Sequence, residues 1–219
     1  MNKVGREMLF RPMSVPEIKN WYSLELRVAF SAQECKPLAD IFLLQSQNRY
    51  ELWGLFKAQS LLGYATIWKA PAVPLALLDY LGVTAAQRNR GIGAHILGLL
   101  KAQGRPLILE SEEPMDGANI TENQLRIRRI GFYLRNGFQP AYRMATCGMA
   151  WQALLYDPSG APTQDVMDWH RTIYGPGRTD VRIPLPDGFV PGQPYWIKQK
   201  NSNAEYERLT AFDAYKGQD

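Results

Sequence analysis

The residues Arg88-Asn89-Arg90-Gly91-Ile92-Gly93-Ala94 are the ones best suited to holding an anion. An apolar run ends just before them at Val83. An amphipathic stretch, with Ile92, Ile96, Leu99 and Leu100 at helical spacing, starts with them. The first turn of a helix carries unpaired N–H groups and the positive end of the peptide dipoles. Glycine lets that backbone approach a phosphate closely, and Arg88 and Arg90 add charge. The segment therefore suits a pyrophosphate or a similar anion. A tight strand-to-helix turn without a ligand would use the same glycines. Neither of the two common glycine-rich nucleotide loops is present. A second group is acidic: Glu110 and Glu112 are two apart in an extended segment and share a face, and Glu113 and Asp116 follow. Such carboxylates can accept a proton directly or through water, or attract a cation. A solvated strand end has the same composition.

These residues need a frame. Residues 7–12 read as a first strand, and 15–46 hold two helical stretches, the second with Leu38, Ile41 and Phe42 on one face. YELWGLFK and LLGYATIW form a hairpin around a short polar turn. The nearly continuous apolar run over 74–83 predicts a strand buried on both faces, near the middle of a sheet. The glycine segment opens a helix that Gly104 ends, and RPLILESE is the next strand. Thr121 with Gln124 three residues later is a capping-box pattern for a helix that Gly137 ends. Two strands over 138–157 and a helix over 163–174 complete the order. The class is α/β with a mixed sheet. We divide the chain into a domain over residues 1–177 and an extension over 178–219, rich in proline and glycine where it begins. The extension carries enough apolar residues to pack on the domain. Val181–Ile183 and Tyr195–Ile197 suit short edge strands, and the extension could cover the cleft or reach a second subunit of a homodimer.

The 219 residues suffice for one domain with a sizeable core. A net charge of +4 and a pI near 9.0 fit an anionic ligand but are too small and dispersed to argue for nucleic acid. Cys35 and Cys147 read as free thiols in a reducing cytoplasm. Two histidines leave no His-rich metal site, and we expect no metal. His95 reads as a packed or half-exposed helix residue and His170 as structural. No signal peptide or membrane span is evident, and a cytoplasmic location is expected.

Arg88 to Gly93 matches the Arg/Gln-x-x-Gly-x-Gly/Ala signature of the GNAT superfamily of acyl-CoA N-acyltransferases, in its expected place between a strand and a helix. Phe132-Tyr133-Leu134-Arg135-Asn136-Gly137-Phe138 resembles the end of that superfamily's penultimate core helix. The resemblance covers about residues 7–175. It implies a mostly antiparallel sheet with one splayed parallel pair, flanked by helices, and acetyl-CoA in the gap. Backbone groups of Leu81 and Val83 would pair with the pantetheine arm, and the amides of Arg88, Asn89, Arg90, Gly91, Ile92, Gly93 and Ala94 would hold the pyrophosphate. Tyr133 would protonate the departing thiolate while a small amine attacks directly; the residues themselves offer Glu110 or Glu112 as the base. The chain departs from the family at Arg126, where many members have an asparagine, with Asn123 one turn earlier. A catalytically silent acyl-CoA-binding module is the alternative on the same fold. A nucleic-acid-binding protein lacks any recognisable motif here.

Overall fold

The apolar run over 74–83 forms the fourth of seven strands. The computed structural model describes residues 8–115 and 117–198. Its strands are β1 (Met8–Pro12), β2 (Tyr50–Lys57), β3 (Ser60–Lys69), β4 (Ala76–Val83), β5 (Leu107–Glu112), β6 (Gln139–Thr146) and β7 (Met149–Tyr156). They make one sheet in the order β1-β2-β3-β4-β5-β7-β6. Among the described residues only β4 and β5 run parallel, joined by a helical crossover as a parallel pair requires.

α1 (Val15–Trp21) passes through a π-helical turn (Tyr22–Leu26) into α2 (Arg27–Ala29), and α3 (Leu38–Ser46) follows. The remaining helices are α4 (Ile92–Lys101), α5 (Ile120–Arg135), α6 (Thr163–Tyr174) and the single turn α7 (Tyr195–Lys198). The sheet separates two apolar layers. On one face Ile18, Trp21 and Ile41 of α1 and α3, with Val166 and Ile173 of α6, join Leu77 and Ile108. On the other, Ile96, Leu97 and Leu100 of α4 join Leu78, Leu107 and Leu109. The alternation of Leu107, Ile108 and Leu109 between the layers is the two-residue period of a strand.

One irregularity shapes the middle of the sheet. Thr66 pairs with Tyr80 and Ile67 with Leu78, so Asp79 is an extra residue in β4. Such a bulge bends its strand and sharpens the local twist. β4 and β5 pair only at Ala76–Leu107 and Leu77–Ile108, immediately before it. Beyond that point β4 stays with β3 as far as Val83, while β5 stays with β7 as far as Glu112. The pair therefore splays, and the β5-facing edge of β4 from Asp79 to Val83 has no strand partner among the described residues.

Two expectations are corrected. α5 starts at Ile120, capped by the Asn119 side chain accepting from the Thr121 amide, so Thr121 lies inside the helix rather than before it. Asparagine is among the strongest cap residues, and it outcompetes the threonine two positions on. Tyr195–Ile197 is not an edge strand but part of a helical turn. That turn swings Trp196 inward, where its Nε1 donates to the Gln33 carbonyl and its ring lies 4.7 Å from the Arg178 guanidinium. Arg182 does exchange backbone hydrogen bonds with Ala145 at the end of β6. Glu7 of the first strand, Asp116 of the acidic run, and residues 199–219 of the extension lie outside the described residues.

Candidate active site

The glycine segment sits where β4 ends. Gly91 caps α4 with φ +77°, a left-handed conformation that glycine adopts without strain, and a Cβ there would meet no atom within 4 Å. The first amides of α4 have no intrahelical acceptor, as at any helix start. Arg88, Asn89 and Arg90 are exposed beside them. Among the described residues neither arginine forms an ion pair, so both charges are available to an anion. Gly93 packs so closely that an added Cβ would lie 3.2 Å from Phe132 Cζ and 3.7 Å from Val83. This contact brings the start of α4, the end of β4 and the tyrosine-bearing helix α5 to one place. Gly82 has a steric role of its own: a Cβ there would fall 2.3 Å from the hydroxyl of Tyr64, the cross-strand neighbour.

These features fit acetyl-CoA. The cradle at Gly91 is open, the strand edge at Leu81–Val83 is free, and two unpaired cations flank the helix start. Ser111, on the β5 side of the gap, adds a buried hydroxyl without a hydrogen-bond partner among the described residues.

Tyr133 is half-buried on α5 and packs against the layer that contains α4, as Leu81 and Val83 also do. Its ring meets Phe132 and Phe138 edge-on, at 5.2 and 5.9 Å. Burial pushes its phenol up to about 12, against the opposing effect of Arg129, so it holds its proton at neutral pH. Its hydroxyl has no hydrogen bond among the described residues.

The two candidate bases have different surroundings. Glu112 is bound by Arg126 Nε at 2.8 Å and Arg129 Nη1 at 3.3 Å. Glu113 pairs in turn with Arg143 at 2.7 Å. Two of the three described carboxylates of the acidic run are thus paired with arginines. Arg126, at the position where the family pattern departs, serves this pairing, while Asn123 holds the Met115 amide and carbonyl. Glu110 forms no ion pair with an arginine among the described residues. Its Oε1 accepts from the Tyr174 hydroxyl at 2.6 Å, and His170 Nε2 lies 3.2 Å away.

Glu110 lines a cavity just past the point where β4 and β5 part. Its walls include Asp79 and Tyr80 of β4, Trp151 of β7, Glu34 and Lys36 of the α2–α3 loop, and Arg178. Asp79 accepts from Lys36 Nζ at 2.8 and 2.9 Å and from the Tyr50 hydroxyl. Burial, then the Asp79 charge, drives the Tyr50 and Tyr80 phenols well above their usual range, which keeps them as donors. Arg178 in turn binds Asp180 at 2.9 Å through both Nε and Nη2. Cys147 reaches the same cavity, but burial pushes its thiol up to about 11, so it is a poor nucleophile at neutral pH.

Sequence reasoning missed Asp79, Lys36, Tyr174 and Arg178. A usable signal existed only for Asp79, a lone charge inside an apolar run. His95 is exposed on α4. Among the described residues no group of three or more His, Cys, Asp or Glu could hold a metal ion, and no helix is long and apolar enough to cross a membrane.

The profile of the Acetyltransferase (GNAT) family matches residues 15–138. The chain belongs to the GNAT family. No curated protein matches it in sequence. Solved structures share its fold at low identity. A GNAT-family protein from Bacteroides thetaiotaomicron superposes with a TM-score of 0.58 at 20% identity, covering 74% of this chain and 94% of its own. An aminoglycoside 6'-N-acetyltransferase complexed with coenzyme A gives 0.54 at 13% identity, over 70% and 99% of the two chains. A spermidine N-acetyltransferase variant from Vibrio cholerae gives 0.50 at 12%, over 68% and 92%. Family membership supports acetyl-CoA-dependent transferase activity in general terms.

Proposed function

We propose that this GNAT protein is an N-acetyltransferase that moves an acetyl group from acetyl-CoA to the primary amine of a small, cationic acceptor. The observation that carries this reading is the bulge-driven gap between β4 and β5. The open helix start of α4 lies at its end, a protonated phenol packs on one face, and a carboxylate without an arginine partner stands on the other.

When bound, acetyl-CoA supplies an acyl thioester. The amides from Arg88 to Ala94, with the two arginine side chains, hold its pyrophosphate, and the free edge at Leu81 and Val83 pairs with its pantetheine arm. Tyr133 keeps its proton until a thiolate forms and then donates it to sulfur. Glu110 accepts the proton of the attacking amine. It is favoured over Glu112, whose carboxylate is already satisfied by Arg126 and Arg129. The high thiol of Cys147 favours direct attack over a covalent intermediate.

A cationic acceptor is supported by the cavity walls. Lys36 and Arg178 are matched by Asp79 and Asp180, which leaves Glu110 and Glu34 as the unbalanced charges. Two fold relatives carry names that specify polycationic amines, an aminoglycoside and spermidine. The test is thiol release from acetyl-CoA across a panel of polyamines, aminoglycosides, amino acids and peptides. Amine-dependent release with a cationic member of the panel is expected. Acetyl-CoA binding without turnover across the panel would establish the silent module instead.

A further inference from the structure

Four side chains meet behind the acceptor cavity in an arrangement that packing alone does not explain. Glu110 leaves β5 toward the layer that contains α6. Tyr174, the last residue of α6, donates its hydroxyl to Oε1 at 2.6 Å. His170, one turn earlier and with 0% of its surface exposed, places Nε2 at 3.2 Å from the same oxygen. Its other nitrogen, Nδ1, lies 3.0 Å from the Tyr142 hydroxyl on β6. The two interactions on Glu110 converge on one oxygen. Oε2 has no hydrogen bond among the described residues.

The His170 contact is close but not aligned. Nε2 is buried and lacks a hydrogen bond of good geometry among the described residues. A buried ring nitrogen in that state costs stability, and a role at a reacting group is one reason to retain it. The phenols fix the sense of the hydrogen bonds. Burial, then the Glu110 charge, drives both Tyr174 and Tyr142 above their usual range. Tyr174 is therefore a donor to the carboxylate. A protonated Tyr142 can donate to Nδ1, which leaves the imidazole proton on Nε2, facing Glu110.

We infer that Tyr174 and His170 are positioning residues that anchor Glu110 through Oε1 and reserve Oε2 as the oxygen that takes the proton of the acceptor amine. This rests on the transfer reading above. In the step, the amine nitrogen bonds to the acyl carbon and loses one proton to Oε2. The C–S bond breaks, its electron pair stays on sulfur, and Tyr133 supplies the proton that completes the thiol. Glu110 then returns its proton to solvent, and Tyr133 regains one. Both positioning residues lie beyond the family match at residue 138, so the base would be set by an element outside that match.

The other ionisable groups around Glu110 are accounted for. Tyr142 faces it from β6 through His170. Asp79 on β4 is paired with Lys36, and Arg178 with Asp180. Glu34 and Cys147 line the shared cavity. Losing the Tyr174 hydroxyl removes the aligned donor from Oε1 of Glu110. A carboxylate no longer held at Oε1 meets the amine proton less often in the productive position, so turnover must fall while acetyl-CoA affinity stays.

The experiment measures kcat and the acceptor KM at saturating acetyl-CoA for the wild type, Glu110→Gln, His170→Gln, Tyr174→Phe and the double variant Tyr174→Phe/Glu110→Gln. It adds the carboxyl-carbon NMR signal of Glu110 at neutral pH in the wild type and in Tyr174→Phe. Glu110→Gln should lower kcat by about 10²–10⁴-fold with acetyl-CoA affinity retained. Tyr174→Phe keeps the ring that packs edge-on against Trp68 at 5.1 Å. It should lower kcat by about tenfold or more, as the loss of one hydrogen bond to a charged group does, displace the Glu110 carboxyl signal, and cost little further once Glu110 is glutamine. His170→Gln should act in the same direction. If it fails to fold, Tyr174→Phe alone decides. An unchanged kcat in Tyr174→Phe with an unmoved carboxyl signal overturns the anchoring, and so does an equal loss when Glu110 is already glutamine. Full transfer by Glu110→Gln overturns the assignment of the base while leaving the transfer reading intact. If no amine is acetylated, the transfer reading and this inference fall together, and the carboxyl signal still reports whether Tyr174 holds the carboxylate.

Discussion

Replacing Lys36 with methionine should destabilise the protein more than replacing any exposed lysine. The Lys36 and Asp79 side chains are 6% and 11% exposed, and their atoms meet at 2.8 Å. Removing one partner of such a pair leaves a buried charge uncompensated, which costs about 3–5 kcal/mol. The lower end applies here, because Asp79 keeps the Tyr50 hydroxyl as a donor. For a chain of this length, about 3 kcal/mol corresponds to a fall in Tm of roughly 6–12 °C. The double variant Lys36→Met/Asp79→Asn removes both charges and should recover most of that loss, since replacing a whole buried pair is often close to neutral. Thermal unfolding of the wild type, both single variants and the double variant at neutral pH measures the cycle. A single variant within about 2 °C of wild type would refute the reasoning. So would a double variant no more stable than Lys36→Met. The pair also ties the α2–α3 loop to the bulge, through the Lys36 amide donating to Tyr80 and Tyr80 donating to the Glu34 carbonyl. The acceptor KM should therefore rise in the single variant.

Tyr133→Phe should leave acetyl-CoA affinity unchanged and lower turnover by about 10²–10⁴-fold; single-turnover kinetics would detect an unaffected chemical step and reject the role. Removing residues 178–219 takes away Trp196, Ile183 and the Arg178–Asp180 pair, all buried, and should lower Tm and solubility; an equally stable truncated chain would show that the extension is dispensable. Burial disfavours the Asp180 charge, but hydrogen bonds from Arg178, the Cys147 amide and Thr146 outweigh it and hold the carboxyl below its usual range. Its contribution to stability is then present above the unfolded carboxylate pKa of about 4 and lost as pH falls through the depressed folded value. Asp180→Asn should accordingly flatten the acid limb of a stability–pH curve, and an unchanged limb would show that Asp180 is not responsible.

The frame of the site was legible because it is local. Hydrophobic period, glycine stops and the glycine-arginine segment are written in neighbouring residues, and they place β4, α4, β5 and α5 in order. What was not legible depends on contacts between distant segments. Asp79 and Lys36 are 43 positions apart, and Tyr174 is 64 from Glu110. Nothing in the local pattern of Thr163–Tyr174 distinguishes a tyrosine that packs from one that donates to a carboxylate on β5. The acidic run misled for the same reason. Its charge is visible in the sequence, but the arginines that cancel it at Glu112 and Glu113 come from α5 and β6. The cap of α5 was misplaced because Asn119 and Thr121 are both capping residues, and only the backbone path decides between them.

Calorimetry of acetyl-CoA against the wild type and Gly91→Asp tests the central claim most directly. Gly91 has open space beside it and φ +77°, so the aspartate would put a carboxylate at the anion cradle with a local backbone cost and no clash in the core. The wild type should bind acetyl-CoA one-to-one, and a folded Gly91→Asp protein should lose at least about tenfold in affinity, equivalent to roughly 1.4 kcal/mol. Equal affinity in the folded variant would contradict a cofactor site at the start of α4, and with it the account of the β4–β5 gap.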